Sequence, residues 1–146
     1  MSGEENITQV TEHLFVGDQY SCCQFIIDQF EIKGLICIDE YVSDSCKGLI
    51  PTGIERLEFE MDDRDEEDLK QHLDKVYPFI DRFVEKKERV LVHCLAGASR
   101  SCSIMIGYLC RKYGYNFNQA YGLVCEKRKA CCPNRGFINQ LRALFS

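Results

Sequence analysis

No run in this 146-residue chain approaches the roughly 18 to 20 apolar residues of a membrane-spanning helix. The basic excess carried by most nucleic-acid and membrane-surface binders is also missing. The net charge is −5 and the pI is near 5.2. The opening "MSGEENITQ" is polar and acidic, unlike a signal peptide. Glycine stands at position 3 rather than 2, which removes a myristoylation start, and the closing "RALFS" is not a prenylation box. The expectation is a soluble cytoplasmic protein, with the nucleus also open to it, and with neither nucleic acid nor membrane as partner.

Histidine is scarce, with only His13, His72 and His93, and none of the ten cysteines forms a C-x-x-C pair. A zinc site is therefore not expected, and nothing in the sequence asks for a metal or cofactor. Without a signal sequence a disulfide framework is not expected either, and most cysteines read as small reduced core residues. Hydrophobic residues are plentiful at 45%, and charged residues make up 28%. That composition suits one compact domain over residues 1–146 and excludes a disordered tail. No repeat, low-complexity block or linker divides it. A monomer or weak homodimer is expected.

Along the chain, "ITQVTEHLFVG" alternates and is rich in β-branched residues, which predicts one or two strands ending at Gly17. "DQYSCCQFIIDQF" has helical spacing, with Asp18 as its candidate cap. "KGLICID" reads as a buried strand, "SDSCKGLIPTG" as turns, and "IERLEFEM" as another strand. Leu69, Leu73, Val76, Tyr77, Ile80, Phe83 and Val84 share one helical face, and Pro78 is expected to kink or divide that helix. "RVLVH" reads as a strand, and three helices follow, one of them with Asn116 as N-cap. The fold class is α/β: a mostly parallel, mixed sheet of about five strands flanked by about six helices.

Between a strand and a helix lies "HCLAGASRS", His93 to Ser101. In open α/β sheets ligands gather at such strand ends. Small residues let the backbone N–H groups of Leu95, Ala96, Gly97, Ala98 and Ser99 turn inward as an anion nest. The following helix adds its positive end, and Arg100 adds a fork matched to two phosphate oxygens. The same donors favour a thiolate at Cys94, aimed at a bound phosphorus. Ser101 is placed to donate to that sulfur. The bland alternative is a buried strand-end cysteine followed by a turn and a surface arginine. A bare C-x5-R would favour it, but this context does not.

"VHCLAGASRS" resembles the signature of the cysteine-dependent dual-specificity protein phosphatases, matching H-C-x-x-G-x-x-R-S at every fixed position. The resemblance covers most of the chain and is closest to the small atypical members, whose fold is protein-tyrosine-phosphatase-like. "VTEHLFVGD" is similar to the family's opening strands, and "FNQAYGLVCEKRKACCPNRGFINQL" to its closing segment. One departure is Lys129, where the family often has proline after the arginine. The resemblance implies hydrolysis of phosphotyrosine and phosphoserine or phosphothreonine in proteins through a cysteinyl-phosphate. It also implies an acid on "FEMDD", where Asp63 lies 31 residues before Cys94. Asp62 and Asp65 are its rivals. From Glu58 to Asp68 there are eight acids and one base, Arg64, and most of that run reads as a solvated loop.

The family histidine, here His93, orients the loop from behind rather than acting as base. Asn134 resembles the asparagine that braces the loop, and it could equally be a helix cap. Arg128 resembles a structural arginine, with a substrate-binding role as the alternative. Related lipid phosphatases carry a cysteine near Cys37 that pairs with the nucleophile, which makes Cys37 a candidate redox partner of Cys94. Its plainer reading is a buried strand cysteine. A phosphoinositide or an RNA 5′-phosphate as substrate, and a phosphate-binding pseudophosphatase, are the rival functions. The loop interior carries no lysine, which counts against the lipid.

Overall fold

The structure, a computed structural model, describes residues 6–39 and 53–146; most of "SDSCKGLIPTG" lies outside the described residues. Strands β1 (Ile7–Gln9), β2 (Leu14–Gly17), β3 (Ile32–Ile38), β4 (Glu55–Phe59) and β5 (Arg89–His93) form one sheet in the order β1-β2-β5-β3-β4. β1 runs antiparallel to β2, and every other pairing is parallel. The mixed, mostly parallel sheet is the expected one. β5 sits at its centre, so the segment that follows it leaves the middle of the sheet's C-terminal edge.

The helices are α1 (Gln24–Gln29), α2 (Leu69–Glu85), α3 (Arg100–Tyr113), α4 (Phe117–Lys127) and α5 (Arg135–Leu144). These are five among the described residues, against about six expected. The difference bears on Pro78: α2 runs through it undivided. Proline removes one backbone bond, but Leu69, Leu73, Val76, Ile80 and Phe83 are all buried on one face of α2, and that packing outweighs the loss. Asp18 does not cap α1. Its Oδ1 accepts from the Tyr20 amide at 2.9 Å and its carbonyl accepts from Ser21, so the segment makes a local turn and the helix starts later, with Cys23 at the N-cap. Asn116 does cap α4, exchanging bonds with Gln119 in a capping box.

The pleat sorts the core into two layers. On one face Val90, Val92, Ile36 and Ile38 pack with α2 and α3, in a cluster that also holds Cys94. On the other, Leu91, Leu35 and Cys37 pack with Cys22 and with Ile26 and Ile27 of α1. α3 is buried along Ser101–Cys110, which places its N-terminus against the end of β5. It ends at Gly114, whose φ of +71° suits the left-handed cap. Among the described residues no helix is long and apolar enough to cross a membrane.

Candidate active site

The loop from Cys94 to Ser99 is held by its carbonyls. Leu95 O accepts from Gln19 N at 3.1 Å, and Ala98 O from Cys132 N at 2.8 Å. Gly97 O accepts from Arg128 Nε at 2.6 Å, and Ser99 O from both the amide and the hydroxyl of Ser103. Among the described residues the amides of Leu95 to Arg100 donate to nothing in the protein. A loop whose carbonyls are turned out and bonded presents its N–H groups inward, as an anion nest requires. Gly97 is indispensable to this turn. Its φ is +65°, and a Cβ there would press on the Gly17 carbonyl at 2.8 Å and on the Arg128 guanidinium.

Cys94 Sγ sits at the base of the loop, 3.2 Å from Ser101 Oγ and 3.4 Å from the Ser101 amide. Both groups can donate to a negative sulfur. The Cys94 amide is itself tied to Gly17 O at 3.2 Å. Arg100 opens α3 with its side chain mostly buried. Nη1 donates to Asp39 Oδ2 at 2.9 Å and to Met61 O at 3.3 Å. Nε and Nη2 bond to nothing among the described residues, which leaves the edge of the fork that matches two oxygens. Sequence reasoning missed Asp39. Its only signal was an acid closing a buried strand, and its partner is 61 residues away.

The acidic segment after β4 separates its three candidates. Asp63 Oδ1 accepts from Ser99 Oγ at 2.7 Å and from Asn134 Nδ2 at 2.9 Å, so Asp63 is brought to the phosphate loop with Oδ2 unpartnered among the described residues. Asp62 pairs at the surface with Arg64 at 3.2 Å. Asp65 accepts from the Gly136 amide at 3.1 Å, which docks the segment on α5. Asn134 caps a helix and also touches the loop and the acidic segment. Its Oδ1 caps α5 by accepting from Phe137 N at 2.8 Å, while its amide groups reach Ser99 Oγ and Asp63.

Arg128 is buried and spans Gly97 O and Thr8 Oγ1, so it clasps the loop from outside the nest. His93 faces away from the nest, with Nε2 at 3.1 Å from Cys37 Sγ. Cys37 belongs to the opposite core layer from Cys94, and its near sulfur is that of Cys22.

Gly136 makes the Asp65 contact tight, because a Cβ there would run into the Asp65 backbone. Gly136→Ala is expected to cost about 1–3 kcal/mol through overpacking. It should also slow any turnover that depends on Asp63, because Asp63 rides on the displaced segment. Thermal melting and kcat measured together check this, and an unchanged kcat would uncouple the segment from catalysis.

The description "Dual specificity phosphatase, catalytic domain" fits residues 14–146. Dual specificity protein phosphatase 1B of Arabidopsis thaliana is 45% identical over 83 residues, 57% of this chain and 50% of that protein. Human dual specificity protein phosphatase 5 is 30% identical over 135 residues, 91% of this chain and 34% of that protein. The chain thus spans half or less of the length of these two relatives. Among solved structures, the human tyrosine phosphatase-like serine/threonine/tyrosine-interacting protein superposes with a TM-score of 0.84 at 25% identity, covering 96% of this chain and 95% of that one. A mouse putative dual specificity phosphatase complexed with zinc tungstate gives 0.84 at 25% identity, covering 95% and 86%. The chain belongs to the dual specificity phosphatase family.

Proposed function

We propose that the chain hydrolyses phosphotyrosine and phosphoserine or phosphothreonine in proteins through a cysteinyl-phosphate. The observation that carries this is Cys94 Sγ held by two Ser101 donors at the base of a loop with unspent amides. The thiolate attacks phosphorus, and a phosphorus–sulfur bond replaces the ester bond. Asp63 gives its proton to the departing oxygen and then takes one from the attacking water. Inward amides and the Arg100 fork hold the equatorial oxygens. Ser101 steadies the sulfur, first as nucleophile and later as leaving group. His93, Asn134 and Arg128 support the loop. This scheme needs no metal, and it treats the chain as one catalytic unit that is cytoplasmic or nuclear and monomeric or weakly dimeric. Neither nucleic acid nor membrane is its partner.

A cavity of about 250 Å³ beside Arg100 is lined by Asp39, Glu60, Met61, Asp62 and Glu67. Four carboxylates there disfavour polyphosphorylated ligands, which supports a protein monoester over a phosphoinositide. The test is a panel of phosphotyrosine and phosphothreonine peptides, a phosphoinositide and a 5′-triphosphate RNA. Preference for either of the last two moves the substrate class. Binding without turnover would make the chain an interaction module.

Asp63→Asn is expected to slow alkyl esters by about 10²-fold while sparing aryl esters with good leaving groups. A leaving-group series measures this. Equal slowing at Asp62 or Asp65, with Asp63 silent, would reassign the acid.

A further inference from the structure

The sulfurs of Cys22 and Cys37 and a ring nitrogen of His93 lie within 4.8 Å of one another, and all three residues are fully buried. The three meet because β3 and β5 pair Cys37 with His93 in register, on the face that α1 and its preceding turn cover. We propose that Cys22 and Cys37 form a redox-active dithiol beneath the phosphate loop, and that its oxidation by hydrogen peroxide weakens anion binding. The nucleophile is not a partner in this bond, since Cys94 packs in the other core layer. Among the described residues the cluster offers three donors, one short of a closed structural zinc shell, which favours a dithiol over a metal site.

The chemistry starts at Cys37. Hydrogen bonding from Cys22, and next the contact with His93, bring its thiol down to about 5 against the opposing effect of burial. The Cys37 thiolate attacks a peroxide oxygen, the O–O bond breaks, and a sulfenic acid and hydroxide form. The Cys22 sulfur then attacks the Cys37 sulfur, the S–O bond breaks, the Cys22 proton leaves with the oxygen as water, and a disulfide forms. Two electrons pass from the two sulfurs to the peroxide. Because both sulfurs are buried, oxidation waits on opening of the turn before α1. It therefore runs slower than modification of the exposed Cys132.

Two routes carry the effect to the loop. Among the described residues His93 Nδ1 has no partner and Nε2 has Cys37, so a disulfide leaves the buried ring without a good acceptor or donor there. The chain that bears Cys22 also holds the loop, through Gly17 O on the Cys94 amide and Gln19 N on Leu95 O. Stripping a buried polar group of its partner costs on the order of a tenfold change in equilibrium constant.

The consequence rests on the phosphate-binding reading, but the bond itself does not, and the test separates them. Cys94→Ser protein is treated with peroxide, digested and mapped by mass spectrometry. The expected product is a Cys22–Cys37 cross-linked peptide lacking two hydrogens. Binding of inorganic tungstate, followed by calorimetry, should fall about tenfold and recover with dithiothreitol. Cys94→Ser/Cys22→Ser should bind tungstate normally and ignore peroxide. A Cys125–Cys131 bond with Cys22 and Cys37 still reduced overturns the proposal, as does stoichiometric zinc on Cys22 and Cys37 in the reduced protein. The bond forming without change in tungstate affinity overturns its coupling to the loop. No tungstate binding by the reduced protein counts instead against the phosphate site.

Discussion

Cys94→Ser is expected to end turnover while leaving anion binding intact. The expected fall in kcat is roughly 10⁴-fold or more, the scale on which removing a covalent nucleophile acts. Among the described residues the two groups bonded to the sulfur can both donate to it: the Ser101 hydroxyl at 3.2 Å and the Ser101 amide at 3.4 Å. Donors stabilise an anion at that point. A serine hydroxyl gives up its proton far less readily than a thiol, and among the described residues no base is bonded at this position. The proposed oxyanion-binding groups belong to the loop backbone and Arg100, so they survive the substitution. A phosphotyrosine peptide measures kcat, and tungstate calorimetry measures the site. Trapping of labelled phosphate on the wild-type protein by acid quench, lost in the variant, would place the intermediate on sulfur. A variant retaining a tenth or more of the wild-type kcat would rule out covalent catalysis at Cys94.

What the sequence disclosed follows from how local each feature is. The spacing from His93 to Ser101 is contiguous, so the strand, turn and helix N-terminus could be read directly. Asn116 and Gln119 are also local, and their capping box was half visible. Asp63 was legible only with two rivals, because a loop can slip by a residue. The contacts that bring Asp63 to the loop come from Ser99 and Asn134, which are 36 and 71 residues away. Pro78 misled for the opposite reason: a local rule met a helix whose buried face overrides it. Asp18 carried a cap signal and spent it on the nearer Tyr20 amide. The Arg100–Asp39 pair and the Cys22–Cys37–His93 cluster were invisible. Both depend on β3 lying beside β5, a register that no single-strand pattern encodes. Cys37 was read as a possible redox partner of Cys94, with a buried strand cysteine as the plainer reading; alternation along β3 turns it toward α1 and Cys22, in the core layer opposite Cys94.

Arg100→Lys is expected to lower kcat/KM by about 10²–10³-fold, although charge is conserved. The guanidinium has two jobs that one ammonium cannot share. Nη1 is committed to Asp39 and Met61 O, and this fixes the plane of the group. The Nε–Nη2 edge is thereby aimed as a rigid pair of donors, suited to two oxygens of a transferring phosphoryl group. A lysine offers one charged point on a flexible stem. With Asp39 only 2.9 Å from the present Nη1, that ammonium is drawn to the carboxylate and away from the nest. The loss should appear in both tungstate affinity and kcat, because in the proposed mechanism the fork holds the anion before and during transfer. Pairing the change with Asp39→Asn sharpens the result. Freed from the carboxylate, the lysine should regain part of the binding but little of the rate, since the fork geometry is still missing. If Arg100→Lys alone keeps activity within about tenfold, simple charge suffices and the fork argument fails.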